Sequence, residues 1–399
     1  MVIEARNTYN NSFSTEKYNN LIAEIHAEFP GELDFRVAES PIFIGNDLKI
    51  KLLSACNDII SQIKKPDFLI KTERAIPKNY QVPNENPHSD FLAIDFAICK
   101  DGNGNYEPQL IELQGFPSLF AYQSYLASKY KKHFEVQKGF SEYFNRMNTM
   151  NYLAEMEKFL LNRTKPENTI LLEIFPEKQK TRLDFALTEK FWGIKPLCIS
   201  KIKKSGKDLY YEQNGKKIGI ERIYNRLIFD DLDRNFKNTK LDFDIRDEIN
   251  AEWISHPNWF YRISKFSLPL FSSPYIPNSS YVSDLKTIPD DLENYVLKPL
   301  FSFAGAGVKI DVKKEDIEKL TNPEDYLLQK KISYDLCIKD TNGAYIKSEI
   351  RMLYIWPKGS SQPKLVTNLA RLSRGKMIGV DFNKDFDWVG GSVGFFETN

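Results

Sequence analysis

The sequence predicts a multi-lobed protein that mixes α/β and α+β units, with mixed sheets and one lobe built on an antiparallel sheet. A strand, a helix and a second strand follow one another over residues 169–200, the order typical of parallel pairing. Apolar segments at 92–98 and 108–114 flank an Asn/Gly turn and predict a β-hairpin. Two long alternating segments, at 344–357 and 364–375, predict antiparallel strands late in the chain.

Composition allows a large buried core and gives no electrostatic sign of a polyanionic partner. The chain has 399 residues, 42% hydrophobic and 27% charged, which is enough for two or three packed lobes. The formal net charge is only +1, so no overall field attracts nucleic acid or an anionic membrane. We therefore expect neither as a partner, and the sequence leaves the oligomeric state open.

The cysteines and histidines are too scattered to predict a disulfide framework, a zinc site or histidine-based catalysis. No Cys-x-x-Cys pair occurs, and isolated cysteines fit a reducing compartment. The first residues are polar and carry no apolar leader, and no run of 18 apolar residues occurs. We expect a cytoplasmic location.

The N-terminal part carries two helical patterns before the hairpin. Residues 14–28 and 46–64 place apolar side chains at helical spacing, the first after a Ser/Thr cap. A Pro/Asn-rich loop at 77–89 precedes the hairpin, and residues 119–162 are expected to be largely helical. We assign residues 1–165 to an N-terminal lobe that carries the hairpin.

A second unit begins near residue 168. Its strand–helix–strand pattern is followed by a hairpin that turns at Asn214-Gly215. We assign residues 166–255 to an α/β subdomain and residues 256–399 to a third lobe. The third lobe is predicted to contain, in order, a strand at 294–300, a small-residue segment at 301–310, a helix at 313–320, a strand at 326–332 and the two long alternating strands.

The second strand of the first hairpin ends in an unusual pair of polar residues. Glu112 and Gln114 are two residues apart, so their side chains point to the same face of a strand. Gly115-Phe116-Pro117 then ends the strand. The strand pattern alone leaves open why an acid and an amide should point to the same place.

Lys298 and the glycines that follow it predict a phosphate-binding device. The lysine ends an apolar strand, and Gly305 and Gly307 follow within a loop of small residues. An ammonium contacts phosphate as a point charge, and a small-residue loop offers backbone N–H groups at close range. The loop lacks the Gly-Lys-Ser/Thr of a Walker motif and the third glycine of a dinucleotide fingerprint. Taken alone, it fits a hairpin loop with a solvated lysine better.

The order of groups along the chain resembles that of ATP-grasp proteins: a first lysine, a strand lysine with a glycine-rich flap, then a hinge strand along adenine. Lys265, in a segment at 256–271 that predicts an amphipathic helix, precedes Lys298, and Gln329 ends an apolar strand after the loop. More narrowly, the chain is similar to the glutathionylspermidine synthase-like ATP-grasp family. In that family the magnesium ligands precede the lysines, as if the order were circularly permuted.

The resemblance implies a magnesium site on the hairpin. The family's Asp-Phe strand and Glu-x-Asn strand match Asp95-Phe96 and Glu112-Leu113-Gln114. Asp95, Glu112 and Gln114 would then be the ligands of the Mg²⁺ ions that bridge the ATP phosphates. Two carboxylates and one amide oxygen are hard donors of the kind that Mg²⁺ prefers.

The same resemblance implies nucleotide-binding and catalytic roles for later residues. Arg371 matches best the late-strand arginine that reaches the phosphates, and Arg351 and Arg374 are rivals for that role. The residues that match the nucleotide-binding lysines, the flap and the hinge beside adenine are Lys265, Lys298, Gly305, Gly307 and Gln329.

Two departures from the family pattern bear on activity. The family has Asn where this chain has Gln114, and it has an arginine two residues before the aspartate, where this chain has Ala93. Arg36 is a candidate replacement for that arginine, which serves as the electrostatic partner of the acyl phosphate.

Three functions are compatible with the pattern. The first is an ATP- and Mg²⁺-dependent ligase that joins a small-molecule or peptide carboxylate to an amine through an acyl phosphate. The second is a non-catalytic nucleotide- or peptide-binding relative, which Ala93 and Gln114 favour. The third is a small-molecule kinase. For single residues the simpler interpretations remain: Asp95 and Glu112 solvated on the hairpin, Arg351 paired on a solvent face, and Lys265 reaching out from a core helix.

Overall fold

The structure is a computed structural model that describes residues 1–237, 239–301, 307–375, 383 and 385–398. The α-helices are α1 Ile3–Ser12, α2 Thr15–Glu28, α3 Asn46–Ile63, α4 Phe68–Lys71, α5 Phe120–His133, α6 Thr149–Leu161, α7 Arg182–Trp192, α8 Phe229–Phe236, α9 Asn258–Arg262 and α10 Lys314–Glu318. The strands are β1 Ile42–Ile44, β2 Phe91–Lys100, β3 Tyr106–Gln114, β4 Phe140–Ser141, β5 Thr169–Glu173, β6 Lys195–Cys198, β7 Lys203–Ser205, β8 Asp208–Gln213, β9 Lys216–Ile220, β10 Arg222–Asn225, β11 Glu252–Ile254, β12 Ser279–Tyr281, β13 Tyr295–Pro299, β14 Tyr326–Lys330, β15 Ile338–Lys339, β16 Tyr345–Ile355, β17 Lys364–Ser373, β18 Gly390–Ser392 and β19 Gly394–Glu397.

The predicted N-terminal helices are confirmed as α2 and α3. The Ser14 side chain caps α2 by accepting a hydrogen bond from the backbone N–H of Lys17 at 3.2 Å. Helix α3 buries one face, including Leu52, Cys56 and Ile59. Among the described residues, no helix is long and apolar enough to cross a membrane.

The predicted hairpin is confirmed as β2 and β3, and its turn is fixed by one aspartate. Asp101 Oδ1 accepts hydrogen bonds from the backbone N–H groups of Asn103 and Asn105, both at 2.9 Å. Gly104 takes a positive φ of 82° there, a conformation that glycine adopts at no steric cost. The turn sets the register as far as Phe96, which lies opposite Leu110, and a one-residue shift beyond that pair places Asp95 opposite Glu112.

The hairpin and the late strands form one antiparallel sheet. Its strand order is β18-β17-β16-β2-β3, and β15 pairs with β16 at the side. The sheet therefore takes strands from both the first and the third range assigned from the sequence. The division of the chain into three domains stays a prediction.

The predicted β-α-β unit is confirmed as β5, α7 and β6. Its parallel sheet has the order β11-β10-β5-β6, with every neighbouring pair parallel. Strand β5 is buried along its whole length, as expected where helices cover a parallel sheet. The carboxyl ends of these strands therefore meet at one edge.

A smaller antiparallel sheet, β12-β14-β13, carries Lys298 and Gln329. One of its faces packs on a separate small core that includes Leu297, Ile317 and Leu328. Its other face points to the large sheet. This sheet and its small core form a separate unit, which contacts the hairpin through Lys298.

Two predicted elements differ in the structure. Lys265 lies in a 3-10 helix, Lys265–Leu270, and not in an amphipathic α-helix, because Pro269 cannot continue an α-helical hydrogen-bond ladder. The segment 119–162 is divided into α5 and α6 by β4. Near the end of the chain, β18 joins the large sheet and β19 joins the mixed sheet β1-β19-β4.

Candidate functional site

A row of charged side chains crosses the large sheet on one face. Glu112 on β3 lies directly opposite Asp95 on β2, and Asp95 lies directly opposite Arg351 on β16. Residues paired in this way in an antiparallel sheet project to the same face. The face thus joins residues from an early hairpin and from a strand late in the chain.

A second row on the same face adds Glu349 and Arg371. Glu349 is two residues before Arg351 and lies opposite Arg371 on β17. Arg371 Nη2 is 3.0 Å from Glu349 Oε2, and the Tyr334 hydroxyl donates to Glu349 Oε1 at 2.5 Å. Burial raises the pKa of Glu349, although Arg371 acts to lower it.

Both oxygens of Asp95 are held by arginines. Arg351 Nε is 2.5 Å from Oδ1, and Arg351 Nη2 is 2.6 Å from Oδ2. Arg371 Nη2 is 2.5 Å from the same Oδ2. Only 1% of Asp95 is exposed, so protein donors, not water, satisfy this carboxylate.

Glu112 and Gln114 lie on the open side of the row. Gln114 Nε2 donates to Glu112 Oε1 at 3.1 Å, and Arg351 Nη2 is 3.7 Å from the same oxygen. Burial acts to raise the pKa of Glu112, but nearby cations outweigh it and the pKa is lowered. These cations are Lys265, Arg351, Arg371 and Lys298.

Lys298 connects the small sheet to the hairpin. Its Nζ donates to Gln329 Oε1 at 2.5 Å and to the Ile111 carbonyl oxygen at 3.3 Å. Burial lowers the pKa of Lys298 to about 8, while Glu112 acts to raise it and Lys265 to lower it. The lysine that the sequence places on a strand therefore ends beside the residue that precedes Glu112.

Gly115 brings the 3-10 helix of Lys265 close to the hairpin. Its backbone N–H donates to the Ile263 carbonyl at 2.9 Å, two residues before Lys265. A Cβ on Gly115 would lie 2.5 Å from the Trp259 carbonyl oxygen, so only glycine allows this approach. Burial lowers the pKa of Lys265, and Glu112 acts against that shift.

Most of the residues selected from the sequence therefore come together. The exceptions are three. The Arg36 guanidinium pairs with Glu39 and with Asp387, the latter at 3.4 Å, Gly305 lies outside the described residues, and Gly307 lies beside Pro299. Arg36 does lie next to the site, because its carbonyl accepts from Gly391, the partner of Arg371 in the sheet. The residues that converge are Asp95, Glu112, Gln114, Lys265, Lys298, Gln329, Arg351 and Arg371.

The structure describes Gly307 of the glycine-rich loop and the predicted hinge residue Gln329. Gly307 has a φ of +73°, and a Cβ there would lie 2.8 Å from Pro299 Cγ. Gln329 is fully buried, and its Nε2 has no hydrogen-bond partner among the described residues. A buried amide with an unused donor is suited to a ligand that offers an acceptor. Arg374, a rival for the phosphate role, pairs instead with Asp340.

Sequence reasoning did not assign a role to Glu349 or include Tyr334. The alternation Glu349-x-Arg351 was the available signal, since residues two apart on a strand share a face. The register that sets this face beside Asp95 depends on a pairing between distant strands, which the sequence does not specify.

A polar crevice at the carboxyl ends of the parallel strands was also missed. Glu173 ends β5 and Asn225 ends β10, and Arg226 follows directly. All three are buried, and Asn225 Nδ2 and Arg226 Nε have no hydrogen-bond partner among the described residues. In open parallel sheets ligands bind at this edge.

The crevice adjoins the end of the hairpin. The Arg226 guanidinium lies over the ring of Phe116, 5.2 Å from its centroid, and over Phe185 at 5.5 Å. Phe116 is two residues after Gln114. Burial raises the pKa of Glu173 to about 8, although Arg226 acts to lower it. A cation and an acid thus lie close together, buried and incompletely paired.

The donor set suits Mg²⁺ at Glu112 and Gln114 better than at Asp95. Mg²⁺ in phosphate-transfer sites takes one or two carboxylates plus substrate oxygens. Glu112 and Gln114 offer hard oxygens, whereas both oxygens of Asp95 are used by arginines and those of Glu349 by Tyr334 and Arg371. Within the described ranges, no group of three or more His, Cys, Asp or Glu side chains is placed to hold a metal by itself. The residues therefore fit a metal that is shared with a polyphosphate.

Comparison with known proteins establishes the fold. No protein-family model and no curated protein matches the sequence. The structure is similar to that of a glutathione synthetase-like effector, GSS30, from Globodera pallida in its apo form, with a TM-score of 0.60. The chains are 10% identical, and the match covers 97% of this chain and 98% of the other. The two chains share a mixed α/β fold, which is consistent with the predicted ATP-grasp-like fold class.

Proposed function

We propose that the chain is an ATP- and Mg²⁺-dependent carboxylate–amine ligase that forms an amide through an acyl phosphate. The observation that carries this proposal is the convergence of Lys265 and Lys298 on Glu112 from distant parts of the chain. Two buried lysines lie near the Glu112 carboxylate, which Gln114 contacts, so positive and negative charges occur at one place. A polyphosphate with its divalent cation has the complementary arrangement of charge.

The proposed nucleotide site lies between the small sheet and the large sheet. Lys298 and Lys265 bind phosphate oxygens, and the unused Nε2 of Gln329 meets an acceptor on the base. Glu112 and Gln114 would hold Mg²⁺. When bound, Mg²⁺ would neutralise part of the charge of the phosphate groups.

The chemistry that we propose needs no nucleophile from the protein. A carboxylate oxygen of the substrate attacks the γ-phosphorus of ATP, the bond to the bridging oxygen breaks and ADP leaves. The amine nitrogen then attacks the acyl carbon, inorganic phosphate leaves and the nitrogen loses a proton. Arg351 and Arg371, fixed side by side, contribute positive charge near the transferred group. Catalysis is then positioning and charge neutralisation.

The carboxylate substrate is proposed to extend into the polar crevice. Arg226 and Glu173 carry opposite charges, and Arg226 Nε and Asn225 Nδ2 both lack partners among the described residues. A zwitterionic group, such as the end of an amino acid or peptide, would satisfy both. This matches the expectation of a small-molecule or peptide carboxylate. The glutathionylspermidine synthase-like assignment and a cytoplasmic location remain part of the proposal.

A non-catalytic binding protein is the second candidate. Ala93 stands where the similar family has an arginine, and Asp95 is committed to arginines. The structural neighbour is itself called an effector, with no statement of its activity. A protein of this kind would bind nucleotide or peptide and release no ADP.

The test is ADP release from Mg²⁺-ATP with a panel of amino acids, short peptides and amines, with mass analysis of the products. A ligase gives an amide, ADP and phosphate together, and Glu112→Gln lowers turnover when Mg²⁺ is limiting. Glu107→Gln, on the same strand but outside the charged rows, is the matched control and keeps it. Nucleotide binding without turnover for any pair supports the binding protein, and a stable phosphorylated product identifies a kinase.

A further inference from the structure

We infer that Asp95 is a positioning residue for Arg351 and Arg371, and that it is not a ligand of the metal. The inference rests on the proposed nucleotide site and reassigns one of its three expected ligands. It is carried by the geometry of one carboxylate and two guanidinium groups on three adjacent strands, β2, β16 and β17.

The hydrogen-bonding capacity of Asp95 is nearly used up. A carboxylate has about four acceptor positions. Arg351 occupies one on each oxygen, and Arg371 occupies a second on Oδ2. The two contacts of Arg351 form the bidentate pairing that fixes both groups in one plane.

The surroundings of Asp95 disfavour a divalent cation. The side chain is 1% exposed, so a metal that binds it must replace protein donors and not water. Mg²⁺ binds oxygen at about 2.0–2.1 Å and would then lie beside two guanidinium groups that hold the same carboxylate. Glu112, at 23% side-chain exposure, has no such restriction.

The arginines are held from other sides as well. Arg351 Nη1 is 3.1 Å from Ser118 Oγ, and Arg371 Nη2 is 3.0 Å from Glu349 Oε2. Asp95 is the group that both arginines share. Arg371 Nε is buried and has no hydrogen-bond partner among the described residues. Asp95 thus fixes two positively charged guanidinium groups side by side, and Arg371 Nε is left to donate a hydrogen bond. This arrangement is suited to an anionic substrate.

Kinetics at varied metal concentration separate the two roles. Removing a metal ligand weakens metal binding, so turnover of Glu112→Gln recovers as Mg²⁺ is raised. Removing a positioning residue misplaces the arginines, so Asp95→Asn stays about 100-fold slower at saturating Mg²⁺. Arg351→Lys keeps the charge but loses the bidentate contact, so its turnover should also stay low at saturating Mg²⁺. Recovery of Asp95→Asn at high Mg²⁺ to the extent seen for Glu112→Gln overturns the inference.

A structure of the wild-type chain crystallised with Mn²⁺ and a non-hydrolysable ATP analogue gives a second test that needs no variant to fold. We expect Mn²⁺ bonded to Glu112, with Asp95 still bidentate to Arg351. An oxygen of Asp95 bonded to Mn²⁺ contradicts the inference. Absence of the nucleotide from such crystals counts against the proposed function, and crystals soaked in Mn²⁺ alone then test Asp95 by the same criterion.

Discussion

Lys298 donates a hydrogen bond to the carbonyl of Ile111, the residue that directly precedes Glu112 in the early hairpin. The contact joins the small sheet that carries Lys298 to the large sheet that carries the acids. The buried Lys298 ammonium donates to two neutral groups, the Gln329 amide and the Ile111 carbonyl. The charged groups that act on it are Glu112, Lys265 and Glu349.

Nucleotide binding should take up a proton near pH 8. Burial lowers the pKa of Lys298 to about 8 from 10.5, and an arriving phosphate favours the charged form and raises it again. Calorimetric titration with an ATP analogue, in buffers of different ionisation enthalpy, measures the uptake. Affinity should fall as the pH rises above 8. Lys298→Arg keeps its charge at these pH values, so uptake should fall, and the uptake that remains would come from Lys265, whose pKa burial also lowers. Uptake in this variant equal to that of wild type contradicts the assignment.

The same shift predicts a change in stability with alkaline pH. Between about 8 and 10.5 the unfolded chain keeps the proton on Lys298 while the folded chain has lost it. The unfolded state then binds more protons, so the contribution of this residue to the free energy of unfolding rises with pH over that window. Denaturant unfolding of wild type and Lys298→Met at several pH values measures it, and a difference between them that does not change with pH contradicts it.

Gly115→Ala should destabilise the fold. A Cβ there would lie 2.5 Å from the Trp259 carbonyl oxygen, a backbone atom that cannot move freely. We expect a loss of about 1–3 kcal/mol in the free energy of unfolding, as for other overpacked sites. The control is Gly219→Ala, where nothing lies within 4 Å of the added carbon. Equal stability of the two variants would show that Gly115 is not needed for the close approach.

Arg226→Met should weaken binding of the carboxylate substrate and leave nucleotide binding intact. Methionine retains packing between Phe116 and Phe185 but removes the charge. A hydrogen bond to a charged group contributes about 1.5–3 kcal/mol, so KM for that substrate should rise about 10- to 100-fold. Arg234→Met is the control, since Arg234 is exposed and pairs with Asp231. An unchanged KM would place the substrate elsewhere.

Arg371 and Arg36 should differ sharply in their effect on turnover. Arg371 contacts Asp95 and Glu349 inside the site, so Arg371→Met should reduce kcat by about 100-fold or more. The Arg36 guanidinium pairs with Glu39 and Asp387 and is 37% exposed, so Arg36→Met should have little effect. Steady-state kinetics of both variants at saturating ATP make the comparison. A large loss in Arg36→Met would restore this residue to the catalytic set.

Local patterns in the sequence predicted the elements, and the order of motifs selected most of the residues that lie together in the candidate site. The hairpin follows from its Asn/Gly turn, and Glu112 and Gln114 share a face because residues two apart on a strand do so. The partners of Asp95 did not follow, because the register of β2 against β16 depends on strands distant in sequence. The polar crevice was missed for the same reason: Glu173 and Arg226 become neighbours only when β5 and β10 pair.

Two departures have local physical causes. Lys265 was expected in an amphipathic helix, but Pro269 limits the segment to a 3-10 helix. Arg36 was expected near the acyl phosphate. The Arg36 backbone carbonyl accepts a hydrogen bond from Gly391 on the edge strand of the large sheet. The Arg36 side chain, however, forms an ion pair with Glu39, three residues later.

The most direct test of the account is calorimetric titration of the wild-type chain and two variants with a non-hydrolysable ATP analogue and Mg²⁺. Wild type should bind, Lys298→Met should bind at least about tenfold more weakly, and Lys319→Met, at an exposed lysine of the same lobe, should match wild type. If wild type does not bind the analogue, or if Lys298→Met binds it as tightly as wild type, the proposed nucleotide site is contradicted.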